Sequence, residues 1–130
     1  MTRFHRLALA ALCSAAMVPA AWAGYSYSYA VYGYRASTYS YGYGSVDAAR
    51  KSADANQYIG CSVQHSAGSD YVSCAARDAA GNYFSCYSYD LGMVDAAAGI
   101  NAASYIYFQA DAYGVCSSLT ISNYSYNIVL

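Results

Sequence analysis

The sequence predicts an α+β fold: a mostly antiparallel sheet of about five to six strands, with one helix packed on its apolar face and two disulfides. Short segments that alternate apolar and polar residues are separated by clusters of Gly, Ser, Asn and Asp, a pattern typical of β-hairpins. One segment has apolar residues at helical spacing, and four cysteines follow residue 23. The 130-residue length fits one small domain.

Residues 1–23 have the pattern of a secretory signal peptide. Two arginines precede an apolar stretch over residues 7–18, and the Ala-Trp-Ala motif at 21–23 supplies the small residues that a signal peptidase recognises. We therefore expect cleavage after residue 23 and a secreted protein, either extracellular or periplasmic. We expect no integral membrane span after cleavage, because no later apolar run approaches about 18 residues.

Composition and charge argue against several classes of protein. Residues 24–130 hold four basic and seven acidic side chains, so their net charge is −3, whereas that of the whole chain is −1. Nucleic acid binding needs a basic surface, and we expect none here. The sequence has no Gly-rich phosphate loop and no closely spaced cysteine pairs, so we expect no cofactor and no metal. Only 18 of residues 24–130 are Val, Ile, Leu, Met or Phe, which predicts a thin core.

Residues 24–44 form a low-complexity segment rich in Tyr, Gly and Ser, in which Tyr recurs at every second position in three short runs. This alternation places the rings of one run on one face of a strand. The phase slips between the runs, and the glycines loosen the segment further. We interpret residues 24–44 as an arm that precedes a small disulfide-braced α+β domain of residues 45–130. A strand that stacks its rings on a partner is the alternative, and the arm also offers a route to self-association.

The domain opens with a weak predicted strand over residues 46–51, and three clearer strands follow over residues 58–65, 71–77 and 83–89. Centring the two hairpins on their Gly-containing turns places Cys61 opposite Cys74, and Cys74 opposite Cys86. One face of this three-stranded unit is then nearly all apolar. A one-residue slip would destroy that pattern, so the register is well specified.

A helix is predicted over residues 91–100, with Asp90 as its N-cap and Gly99 near its end. Alternating residues over 104–110 and 115–121 predict a final hairpin, which an Ala-Tyr-Gly turn joins. The order of strands, one helix and a hairpin indicates a helix lying over the apolar face of the sheet.

The cysteines after residue 23 are Cys61, Cys74, Cys86 and Cys116, and an even number in an exported chain indicates two disulfides. Cys74 lies between Cys61 and Cys86 in the predicted register and can join only one of them. Either Cys74–Cys86 occurs with Cys61–Cys116, or Cys61–Cys74 occurs with Cys86–Cys116. We favour the first set, although the choice depends on which edge strand receives the final hairpin.

The opposite face of the three strands carries a candidate binding surface. Arg77 is predicted to lie between Tyr58 and Tyr83, which permits cation–π contact. Tyrosine combines a large contact area with a polar hydroxyl, so this face suits stacking on a sugar or on a partner's aromatic side chains. A plain strand-forming role for tyrosine is the alternative. The candidate residues are Tyr58, Tyr71, Arg77, Tyr83, Tyr87 and Tyr89.

We predict no catalytic residues. His65 is the only histidine after residue 23 and lies at a turn, close to Asp70, without a nucleophile motif. The aspartates fall mainly at turns and at the helix start, where Asp caps backbone N–H groups.

Four short motifs resemble those of small secreted bacterial proteins of uncharacterised function: Tyr-Ile-Gly-Cys at 58–61, Ser-Cys-Tyr-Ser at 85–88, Tyr-Ile-Tyr-Phe at 105–108 and Asn-Tyr-Ser-Tyr at 123–126. The resemblance spans residues 45–126 and implies no activity, cofactor or site residue. Together these observations predict an exported, non-enzymatic protein that binds a glycan or a protein, or contributes to an envelope or extracellular assembly. A small secreted hydrolase or a protease-inhibitor-like protein is the alternative.

Overall fold

A computed structural model describes residues 24–129, and the predicted signal peptide lies outside them. Within this part of the chain, seven strands form two antiparallel sheets, with order β1-β2-β6-β7 and β3-β4-β5. Neither helix in it has the length or the apolar character that a membrane crossing requires. The elements are β1 (Tyr32–Arg35), β2 (Tyr39–Ser45), α1 (Val46–Arg50), β3 (Tyr58–Ser66), β4 (Ser69–Arg77), β5 (Tyr83–Ser88), α2 (Leu91–Ala98), β6 (Ser104–Asp111), β7 (Cys116–Asn123) and a 3₁₀ turn (Ser125–Asn127).

The three-stranded sheet has the predicted register. Cys61 lies opposite Cys74, and Cys74 lies opposite Cys86. Its apolar face is buried at Ile59, Val72 and Phe84, whereas Val63, near the hairpin end of β3, is 41% exposed. The register prediction succeeds because both hairpins turn at a glycine with positive φ, Gly68 at 93° and Gly81 at 88°, as the turn chemistry requires.

The tyrosine-rich segment forms the first two strands of the four-stranded sheet. β1 pairs with β2, and β2 pairs with β6 over its full length. The domain boundary predicted between residues 44 and 45 therefore falls inside β2. The slip in tyrosine spacing between Tyr34 and Tyr39 is the turn between β1 and β2, where the Ala36 N–H donates to the Tyr39 carbonyl at 2.8 Å.

The predicted strand over residues 46–51 is wrong, because the segment contains the short helix α1. Alanines 48 and 49 favour a helix, and Val46 is the only β-branched residue of the segment. Asp47 and Lys51, four residues apart, form an ion pair of 3.0 Å along the helix. With this helix and the two strands of the tyrosine-rich segment, the prediction of five to six strands and one helix fits only roughly.

The second sheet, rather than a single helix, covers most of the apolar face of the three-stranded sheet. Ile106 and Phe108 of β6 are fully buried in the common core. The predicted helix is present as α2, and Asp90 caps it by accepting from the Met93 N–H at 2.9 Å. It places Val94 and Ala97 in the core beside β3, β4 and β7. The second sheet takes the place predicted for the helix because the pairing of β2 with β6 creates a sheet with its own apolar face. The apolar faces of the two sheets then pack against each other.

The disulfides are Cys61–Cys74 and Cys86–Cys116, so the favoured pairing of Cys74 with Cys86 is wrong. The final hairpin lies beside β5 and not beside β3. There the Tyr87 N–H donates to the Gly114 carbonyl at 3.0 Å. Cys61–Cys74 joins neighbouring strands of one sheet, whereas Cys86–Cys116 joins the two sheets. Two disulfides are compatible with an extracellular location.

Glycines of β1 and β2 let the two sheets approach each other closely. A Cβ atom at Gly33 would lie 2.3 Å from ring atoms of Phe84. A Cβ atom at Gly42 would lie 2.9 Å from the Phe108 ring and 3.0 Å from the Ala76 methyl group. These distances are shorter than van der Waals contact, so positions 33 and 42 admit only glycine unless the neighbouring side chains or the sheets shift.

Replacing Gly33 with Ala tests this close approach. We expect Gly33→Ala to lower the free energy of unfolding by about 1–3 kcal/mol, because the new methyl group displaces the Phe84 ring. Gly60→Ala is the matched control, since a Cβ atom there meets nothing within 4 Å; we expect it to raise stability by about 0.5 kcal/mol. Urea unfolding of both variants measures the difference, and equal stabilities would contradict the close approach.

Removing each disulfide separately tests the pairing and its contribution. The bridges close loops with sequence separations of 13 and 30 residues. Loop-closure entropy predicts a loss of about 3 kcal/mol for Cys61→Ala/Cys74→Ala and of about 3.5 kcal/mol for Cys86→Ala/Cys116→Ala. Denaturant unfolding measures these losses, and mass spectrometry of unreduced peptides identifies the pairs. A peptide that links Cys74 to Cys86 would contradict the structure.

Candidate functional site

The small tyrosine face is the outer face of the three-stranded sheet, and it holds the six residues predicted from the sequence: Tyr58, Tyr71, Arg77, Tyr83, Tyr87 and Tyr89. Arg77 lies opposite both Tyr58 and Tyr83 in register, as predicted. Its guanidinium carbon is 5.5 Å from the centre of the Tyr58 ring, within the range of a cation–π contact. The Arg77 Nε atom is buried without a hydrogen-bond partner among the described residues.

The other rings of the small tyrosine face form a second row. The Tyr71 hydroxyl donates to Gln64 Oε1 at 2.5 Å, and the Tyr71 and Tyr89 rings are 5.6 Å apart. Tyr87 extends this row, with its ring 6.2 Å from that of Tyr89. A groove of about 340 Å³ lies beside Tyr58, and small residues, among them Gly60, line it. The predicted candidates are therefore together on one face, and the groove adjoins one of them.

The large tyrosine face is the outer face of the four-stranded sheet, and it was not predicted from the sequence. Cross-strand register places Tyr32 opposite Tyr43, and Tyr43 opposite Tyr107. Ring centres along β2 are 6.3–6.5 Å apart, and the Tyr41 and Tyr107 rings stack at 6.0 Å. The rings form one continuous cluster because every tyrosine of β1 and β2 alternates with an inward Gly, Ser or Arg. Its members are Tyr32, Tyr34, Tyr39, Tyr41, Tyr43, Tyr105 and Tyr107.

Crowding within the large tyrosine face raises the pKa of two of its phenols, Tyr41 and Tyr105. Burial raises the pKa of Tyr105 to about 12, and the neighbouring phenols of Tyr29, Tyr43 and Tyr107 act in the same direction. Burial also raises the pKa of Tyr41 above its usual value, again with help from surrounding tyrosines. Because a neutral hydroxyl both donates and accepts, Tyr41 and Tyr105 keep both hydrogen-bonding roles to a higher pH than an ordinary tyrosine.

A tyrosine cleft lies at one end of the large tyrosine face, between the two ends of the described chain. The Tyr27 N–H donates to the Tyr126 carbonyl at 2.7 Å, and the Ser45 N–H donates to the Tyr29 carbonyl at 2.9 Å. These contacts tether the N-terminal segment to the sheet and to the 3₁₀ turn. The cleft measures about 470 Å³ and is lined by Tyr25, Tyr27, Tyr29, Tyr105, Ser122, Tyr126 and Asn127.

The C-terminal wall of the tyrosine cleft is also tethered. Asn127 is buried, and its side-chain amide donates to the carbonyls of Ala103 and Ser122, both at 3.0 Å. Beyond it, the Val129 N–H donates to Asp47 Oδ2 at 2.7 Å. A hydrogen bond from Lys51 and the Val129 N–H hold the pKa of Asp47 below its usual range. Backbone hydrogen bonds therefore hold the N-terminal wall, and buried or charge-assisted hydrogen bonds hold the C-terminal wall.

His65 and Asp70 lie together at the exposed end of the β3–β4 hairpin. His65 Nδ1 contacts Asp70 Oδ1, and the two residues are opposite each other in register. The imidazole is 83% exposed, as expected for a histidine at a turn. The pair closes the hairpin, and the nearby Ser66 hydroxyl donates to the Ser69 carbonyl instead of facing the imidazole.

Comparison with known proteins does not assign a function to these surfaces. No family model matches the sequence, and neither a curated protein nor a solved structure matches it. The function is therefore inferred from the two tyrosine faces and the tyrosine cleft themselves.

Alkaline titration tests the crowding of the large tyrosine face. Since the folded-state pKa of Tyr105 is raised from 10.0 to about 12, its contribution to stability is complete below pH 10 and is lost as pH rises through about 12. We expect Tyr105→Phe to remove a late-ionising phenol from the absorbance titration and to weaken the loss of stability over this range. Tyr113→Phe is the control, because Tyr113 is 87% exposed. An unchanged titration in Tyr105→Phe would contradict the crowding.

Proposed function

We propose that the chain is an exported, non-enzymatic binding or assembly protein that holds a glycan or protein partner on its tyrosine-covered sheet faces. The observation that carries this proposal is the continuous ring cluster of the large tyrosine face. Tyrosine and other aromatic side chains contribute strongly to binding because they bury a large area at low entropic cost and keep a polar hydroxyl. A sheet held by an inter-sheet disulfide presents such rings without the cost of ordering loops.

The small tyrosine face supports the same proposal with a different chemistry. The cation of Arg77 lies against the Tyr58 ring, beside a groove with a floor of small residues. Arg and Tyr are both enriched among the residues that dominate binding energy at interfaces. The two faces therefore offer separate surfaces on opposite sides of the sandwich, which suits a protein that joins components of an envelope or an extracellular assembly.

Face-specific variants test the proposal. We expect Tyr32→Ser/Tyr34→Ser/Tyr39→Ser on the large tyrosine face, or Tyr58→Ser/Tyr71→Ser/Tyr83→Ser/Tyr89→Ser on the small tyrosine face, to weaken binding at least about tenfold. The physical reason is the loss of stacking area at the contact. Protein produced from the full sequence is assayed on a glycan array and by co-sedimentation with isolated cell envelopes.

Tyr113→Ser is the matched control, because it removes an exposed ring from a turn and leaves both faces intact. Circular dichroism and intact disulfides establish that each variant is folded. If both face variants are folded and bind as tightly as the unmodified protein, the proposal is wrong. It is equally wrong if the unmodified protein binds neither the array nor the envelopes.

A further inference from the structure

We propose that the tyrosine cleft binds one pyranose ring of a neutral glycan, and that the adjoining tyrosines of β2 hold the sugar units that follow. This inference rests on the proposed function and specifies its ligand. The cleft volume of about 470 Å³ falls within the range of small-molecule sites. A protein partner instead needs an interface that buries about 1,200–2,000 Å² in total.

The cleft walls present ring faces in several directions. The rings of Tyr27 and Tyr29 are perpendicular, at 87°, with centres 4.9 Å apart. Those of Tyr25 and Tyr126 meet at 70° and 5.9 Å. A pyranose has an apolar C–H surface and a rim of hydroxyl groups. The C–H surface is attracted to the electron-rich face of a phenol ring, and the hydroxyl rim needs donors and acceptors at the edges of the site.

The polar groups at the cleft match that rim. The phenol hydroxyls and the Ser122 hydroxyl each donate and accept hydrogen bonds. The Tyr29 phenol remains protonated, because its hydrogen bond to Tyr27 and then burial raise its pKa above the usual value. The mixture of flat apolar rings and neutral hydroxyls thus fits a sugar better than a fully apolar ligand.

The electrostatic character of the cleft determines whether it favours neutral or charged sugars. No charged side chain of the described residues lines the cleft. A uronic acid, a phosphate or a nucleotide would lose part of its hydration there without gaining a counter-charge, and an unpaired charge is costly to desolvate. The occupant of lowest cost is therefore a neutral glycan unit.

A row of tyrosine rings extends from the cleft along β2. The Tyr29 ring is 6.2 Å from that of Tyr43, the Tyr43 ring is 6.3 Å from that of Tyr41, and Tyr39 continues the row at 6.5 Å. This row starts at the cleft and follows β2. A linear glycan with one unit in the cleft would place its following units on the row, so a longer chain gains contacts.

The test is calorimetric titration of the full protein with cellohexaose, maltohexaose and hexa-N-acetylchitohexaose, with hexagalacturonate as the acidic comparison. We expect at least one neutral hexasaccharide to bind and hexagalacturonate to bind at least about tenfold more weakly. Tyr25→Leu/Tyr27→Leu keeps apolar volume but removes two ring faces from the cleft, and we expect it to weaken binding about tenfold. Both residues are exposed, so folding is retained.

Two controls separate stacking from other effects. Tyr27→Phe keeps the ring face and should retain binding within about threefold. Tyr113→Leu removes a ring outside the cleft and should leave binding unchanged. Amide chemical-shift changes on titration should centre on Ser122 and Asn127, which line the cleft without being mutated.

Several results would overturn this inference while leaving the proposed function standing. One is native affinity in Tyr25→Leu/Tyr27→Leu together with loss of binding in the face variants. Another is envelope binding without binding of any neutral hexasaccharide, and a third is tight binding of hexagalacturonate. Dimerisation that Tyr25→Leu/Tyr27→Leu abolishes would assign the cleft to a second copy of the chain instead. If neither hexasaccharides nor envelopes bind, the inference and the proposed function both fail.

Discussion

The Phe84 ring packs in the space that a side chain at Gly33 would fill, and this packing determines how near the two sheets lie. Residues 24–130 supply few large aliphatic side chains, so a core can close only where the sheets approach each other. Gly33 and Gly42 permit that approach, and the Arg35 guanidinium covers the Phe84 ring at 5.8 Å. In an alternating strand, an inward glycine obliges its neighbours to point outward. The large tyrosine face is thus the outer side of the same pattern that closes the core.

The inter-sheet disulfide and the tethered chain ends complement this thin core. Cys86–Cys116 joins β5 to β7, beside the backbone hydrogen bond from the Tyr87 N–H to the Gly114 carbonyl and the isolated bridge between Tyr87 and Val115. At the other end, the pair of Asp47 and Lys51 holds the last described residues through Val129. Rigid support matters for a surface of rings, because a ring that is ordered before contact loses little entropy on binding.

Local chemistry explains which parts of the fold the sequence predicts. Glycine turns specify the β3–β4–β5 register, and Asp90 caps α2, because each depends on residues close in the chain. Partners in the pairing of β2 with β6 lie at least sixty residues apart in the chain, and the alternation of tyrosines does not indicate which strand is the partner. Long-range pairing also determines whether Cys116 forms its disulfide with Cys86 or with Cys61, because that depends on which edge strand the final hairpin lies beside. The small tyrosine face, built from consecutive strands, was therefore predictable, whereas the tyrosine cleft was not, since it joins the two ends of the chain.

Strand propensity alone does not account for the large tyrosine face. β7 lies in the same sheet, and its outward positions are Thr120 opposite Tyr107 and Ser122 opposite Tyr105. These small hydroxyl residues form a strand there without any aromatic ring. If solubility and strand formation were the only requirements, β2 would tolerate the same residues as β7. Its rings instead continue from Tyr39 through Tyr43 to the cleft, and this concentration on adjacent strands supports the proposed role of the face in binding.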